Sequence, residues 1–98
     1  MAEADGEEQV DAEQLIKQLR VSDLLMGTLA SIVQLGYAKL GDGETDQARL
    51  AIEALRALIP VLEESAPAEA IRDLRQATAN LQLAYAEAVA KAPEEPDA

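Results

Sequence analysis

The run from Val21 to Leu40, VSDLLMGTLASIVQLGYAKL, constrains this chain more than any other stretch. On a helical wheel at roughly 100° per residue, Leu24, Leu25, Met26, Leu29, Ile32, Val33, Leu35, Tyr37 and Leu40 spread over an arc of about 220°. A helix on the surface of a globular protein needs an apolar stripe only a little wider than ~100°. The remaining arc holds Asp23, Gly27, Ala30, Ser31, Gln34 and Ala38, mostly small residues. Such a helix calls for neighbours on nearly every side, and a chain of 98 residues has few helices to supply them. The expectation is self-association or a partner molecule.

Composition removes most chemistry. The chain has no Cys, which excludes disulfides, thiolate nucleophiles and zinc–sulfur sites. It has no His, so the commonest general base and the commonest transition-metal ligand are missing as well. Phe and Trp are absent, and Tyr37 and Tyr85 alone cannot build a base-stacking platform for single-stranded nucleic acid.

The net charge of −11 belongs to the ends of the chain. Residues 1–13 carry Glu3, Asp5, Glu7, Glu8, Asp11 and Glu13 without a base, and residues 92–98 carry Glu94, Glu95 and Asp97 without one. Residues 14–91 are close to neutral, with ten acids against eight bases. Acidic ends of this kind predict solubility and disorder. Their functional alternative is docking on a basic partner, such as a ribosomal or nucleic-acid-binding protein. Direct binding to nucleic acid is not expected, because no basic face exists to neutralise phosphates. The N-terminus has neither the basic nor the apolar region of a secretory signal, so the expected location is cytoplasmic. Leu24–Ala38 falls short of the roughly 20 apolar residues of a membrane span and contains Gln34, so no membrane role is expected.

Along the chain, Leu15, Ile16 and Leu19 predict a short helix over Asp11–Arg20, or an extension of the next helix. Ser22 is a candidate cap for the long apolar helix. Gly41-Asp42-Gly43 ends that helix in a turn. A second helix should begin near Thr45 or Asp46, with Thr45 as its cap. Asp46, Arg49, Glu53, Arg56, Pro60 and Glu63 form its solvent stripe, and Ala48, Ala51, Ile52, Leu55, Leu58, Ile59 and Leu62 its apolar face. Pro60 lies on the solvent stripe and predicts a kink rather than a stop, with termination near Ile59 the alternative. Pro67 predicts the first turn of a third helix. There Ile71, Leu74, Thr78, Leu81, Tyr85 and Ala88 form a seam with Val89 beside it, while Leu83, flanked by Ala79, Ala86 and Ala90, points the other way. No strand pattern is present.

The one spacing that echoes a metal loop is Asp42, Glu44 and Asp46 with Glu53 after them. Gln47 stands where a calcium loop needs Gly, so no metal site is expected. Glu63-Glu64, and Asp73 between Arg72 and Arg75, give no sign of the burial that general acid–base work requires. Gly27 and Gly36 are isolated and form no phosphate cradle. Neither catalysis nor a cofactor is expected.

The segments VSDLLMGTLASIVQLGYAKLG, DQARLAIEALRALIPVLEE and LRQATANLQLAYAEAV, over roughly residues 20–90, resemble the small helical bacterial group called domain of unknown function 1844. Many of its members carry a Lys-Thr-x-Gly-Asn-Leu-like link between the second and third helices, where this chain has EESAPAEA at residues 63–70. The resemblance implies a small cytoplasmic bacterial protein with no established activity.

These readings combine into an all-α fold: a three-helix antiparallel bundle over residues 14–91, preceded by a short helix or helical extension and flanked by disordered acidic tails at 1–13 and 92–98. The expected function is that of a non-catalytic scaffold or adaptor forming a homodimer through its apolar helix. The expected interface is Leu25, Gly27, Leu29, Ser31, Ile32, Val33, Gln34 and Ala38, within which Gly27, Ser31, Gln34 and Ala38 recur along one side at 4,3,4 spacing. The alternative is a binding module for a different protein, translation-associated, whose acidic tails dock on a basic surface.

Overall fold

The structure, a computed structural model, describes residues 11–91. It is all-α: a short helix α1 (11–18), then α2 (Val21–Gly41), α3 (Thr45–Leu62) and α4 (Ala68–Lys91), with no strand among the described residues. The predicted disordered tails lie outside the described residues, except that 11–13 are already helical. Residues 11–20 form a separate helix and a two-residue break, with Leu15, Ile16 and Leu19 all exposed.

The helix ends differ in detail from the capping expectations. Arg20 stands at the N-cap of α2 and Glu44 at that of α3, and neither helix has a side-chain cap. Ser22 and Thr45 both lie inside the first turn, one residue or more too late to accept an orphan amide. The end of α2 is closed by backbone instead. The amide of Glu44 donates to the Lys39 carbonyl at 2.9 Å and that of Gly43 to the Leu40 carbonyl at 3.1 Å, the paired bonds of a Schellman turn. Gly43 takes the left-handed position, with φ +82°, where the lack of a Cβ matters. Glu44 then accepts the Ala48 amide at 3.2 Å, so one residue closes α2 and opens α3.

Pro60 lies inside α3, which ends at Leu62, so the helix does pass the proline, by two residues. Pro67 precedes α4 rather than occupying its first turn. Its carbonyl accepts the Ile71 amide at 3.1 Å, a position that needs no N–H of its own.

Each of α2, α3 and α4 packs on the other two. Their shared core is Leu29 from α2, Ile52, Leu55, Ile59 and Leu62 from α3, and Ile71, Leu74 and Leu81 from α4. The predicted α3 faces hold: every residue of the polar stripe is exposed and every residue of the apolar face is buried or half-buried. The α4 seam holds through Tyr85 and Ala88, but Val89 is 46% exposed. Thr78, the one buried polar side chain among the described residues, donates its hydroxyl to the Leu74 carbonyl at 2.8 Å, which meets its hydrogen-bonding need within the helix.

Candidate functional site

The most apolar helix is also the least covered. Only Leu29 and Gly36 of α2 are buried. Leu25, Met26, Ile32, Val33 and Leu40 pack half-buried against the core, all on the Leu29 side. Val21, Leu24, Leu35 and Tyr37 are exposed, Leu24 by 62% and Leu35 by 57%. At 21 residues α2 is long and apolar enough to cross a membrane by length and composition, which corrects the expectation that the stretch falls short. Two of its residues are nonetheless enclosed by α3 and α4.

This placement sorts the predicted interface residues into two groups. Gly27, Ser31, Gln34 and Ala38 are all exposed and share the side of α2 that turns away from the core. Leu25, Ile32 and Val33 face inward and are half-buried in the chain's own core. Leu29 has no exposed surface at all, so it cannot meet another molecule; its inclusion in the interface is corrected. A 220° arc contains both an inner and an outer face, and the wheel alone does not say which of its residues the chain keeps for itself.

Three contributors were not identified from sequence. Leu24 and Leu35 flank the small residues on the outer face and are the large apolar groups available there. Leu50 of α3, outside both the polar stripe and the apolar face assigned to that helix, is 57% exposed. With Ile32, Leu35, Gly36, Ala51 and Ala54 it lines a shallow apolar groove of about 260 Å³ between α2 and α3. A second groove, of about 320 Å³, runs between α2 and α4 along Met26, Val33, Ala70 and Leu74. Gly36 itself is a packing residue. A Cβ built on it would lie 2.8 Å from Leu81 Cδ2 and 3.1 Å from Ala51 Cβ, whereas one on Gly27 would meet nothing within 4 Å. The wheel carried the signal that separates them, because Gly36 falls inside the apolar arc and Gly27 opposite it.

The polar groups are dispersed. Every described Asp and Glu is exposed, and among the described residues no group of three or more carboxylates could hold a metal ion. Asp46 and Gln47 are already helical, so the Asp42–Glu53 stretch has no loop able to wrap a cation. The ion pairs among the described residues are Lys39–Glu44 at 3.4 Å, Arg49–Glu53 at 3.0 Å and Arg75–Glu63. The first bridges the turn between α2 and α3, the second lies along α3, and the third ties the end of α3 to α4. With so much solvent around them, such pairs contribute little to stability. What the surface of α2 offers is an uncharged helical face.

No family model, curated protein or solved structure matches the chain.

Proposed function

We propose that this chain is a non-catalytic helical scaffold or adaptor of the cytoplasm, in which α2, α3 and α4 form an antiparallel bundle and α2 carries a homodimer interface. One observation carries the reading: on α2, Leu24 and Leu35 are exposed across a face that also holds Gly27, Ser31, Gln34 and Ala38 and no charge. Exposed apolar surface of this kind is stabilised by removal from water, at about 25 cal/mol per Å². The resemblance of residues 20–90 to domain of unknown function 1844 implies a small bacterial helical protein with no established activity, which is compatible with this reading.

The test is solution mass by light scattering across a range of concentrations. The wild-type chain, 10.4 kDa, should run as a dimer. Leu24→Asp with Leu35→Asp should run as a monomer with unchanged helical circular dichroism, because neither residue belongs to the core. A wild-type chain that stays monomeric throughout overturns the reading. The second reading, a module for a different protein, draws on the acidic residues 1–13 and 92–98. It predicts salt-sensitive capture of a basic protein that disappears when either segment is removed.

A further inference from the structure

The outer face of α2 has an internal order that specifies how a second copy would bind. Leu24, Gly27, Ser31, Gln34, Leu35 and Ala38 fall within an arc of roughly 100°, centred near Ser31. Four of them stand in two pairs placed symmetrically about it: Leu24 and Ala38 lie seven positions on either side, Gly27 and Leu35 four. The two residues that bound the helix continue the pattern with opposite charges. Arg20, at the N-cap, and Asp42, at the C-cap, each lie eleven positions from Ser31. Extending the helical repeat places both within roughly 20° of the direction of Ser31. Neither takes part in an ion pair among the described residues.

We propose that the outer face of α2 binds the same face of a second copy in antiparallel register. The two-fold axis passes at Ser31, and Arg20 of each copy pairs with Asp42 of the other. This rests on the self-association proposed above and specifies its partner surface. Charge decides the direction. Parallel pairing sets Arg20 against Arg20 and Asp42 against Asp42, whereas antiparallel pairing sets each against its opposite at both ends of an otherwise uncharged face. Shape agrees. On one edge, Leu24 lies roughly 5 Å along the axis from the second copy's Leu35, so the leucines interleave. On the other edge, Gly27 and Ala38 leave room for the helices to approach to about 8 Å between axes, the close end of ordinary helix packing. An isologous contact of this kind also closes after two copies, which forms a dimer and not a fibre.

Charge reversal tests it. Asp is a favoured N-cap residue, and a cation at a helix C-terminus is favourable, so Arg20→Asp and Asp42→Arg should both leave the fold intact. Each single variant should weaken the dimer by about tenfold, and the double variant should return to within about threefold of wild type, as expected for a charge pair swapped end for end. Because the chain contains no cysteine, crosslinking gives an independent reading. Leu24→Cys mixed with Ala38→Cys should form the mixed disulfide, and neither variant alone should form its own. A wild-type dimer with no rescue in the double variant, or with Leu24→Cys crosslinking to itself, overturns the antiparallel register and leaves self-association standing. A wild-type monomer at every concentration overturns both.

Discussion

Leu81 occupies the space that a side chain at position 36 would need: its Cδ2 lies 2.8 Å from where a Cβ on Gly36 would stand. Leu81 is fully buried, and the next neighbour is the rigid Ala51 Cβ at 3.1 Å. Neither can yield cheaply, so α2 sits where it does because residue 36 has no side chain.

Gly36→Ala should therefore destabilise the chain although it improves helix propensity. The propensity gain is about 1 kcal/mol, and overpacking costs about 1–3 kcal/mol, so the net expected loss is about 1 kcal/mol. Gly27→Ala, which has open space around it in the single chain, should gain up to about 1 kcal/mol in the monomeric Leu24→Asp, Leu35→Asp background. Urea unfolding of the two variants should shift in opposite directions; a Gly36→Ala midpoint at or above wild type would contradict the packing described.

Leu29→Ala should cost about 2–5 kcal/mol in unfolding free energy, because the residue is fully buried among core side chains from all three long helices. Leu83→Ala on α4, where the side chain is 61% exposed, should change stability by less than about 0.5 kcal/mol. Thermal or denaturant unfolding measures both, and similar losses at the two positions would contradict the burial pattern.

Gly43→Ala should cost about 1–2 kcal/mol, since φ +82° forces a Cβ towards the neighbouring carbonyl. Gly43→Asn should lose less, because Asn tolerates the left-handed region best among residues with side chains. Equal losses for the two variants would point to a cause other than backbone conformation.

Thr78→Val should be neutral or slightly stabilising, within about 1 kcal/mol of wild type. Among the described residues the hydroxyl bonds to the Leu74 carbonyl alone, which in a continuous helix still receives the residue 78 amide, so its removal leaves that carbonyl paired. A loss above about 2 kcal/mol would assign that hydroxyl a further partner.

The polar and apolar sides of α3 were legible because they repeat within a few residues: Arg49, Glu53 and Arg56 recur at helical spacing opposite Ile52, Leu55 and Ile59. The two faces of α2 were not. Nearly every direction on that helix is apolar or small, so periodicity assigned Leu29 and Ser31 to one interface although they point to opposite sides. Capping was misread at Thr45 because the Gly43 turn carries the chain directly into α3 at Glu44, and at Ser22 because α2 already begins at Val21 with Arg20 at its N-cap. A capping hydroxyl one residue inside the helix has no orphan amide within reach.

Local chemistry by itself determined that this chain is helical, where its long helices run, and that its negative charge gathers at the two ends. Those properties depend on residues a few positions apart, whose spacing is readable without a fold. Tertiary structure alone decided that Leu29 belongs to the core, that Gly36 is closed in by side chains from two other helices, and that Leu24 and Leu35 remain on the surface. The reason is steric: which side of an almost uniformly apolar helix is covered depends on how Ala51 and Leu81, distant in sequence, fit against a position that has no side chain.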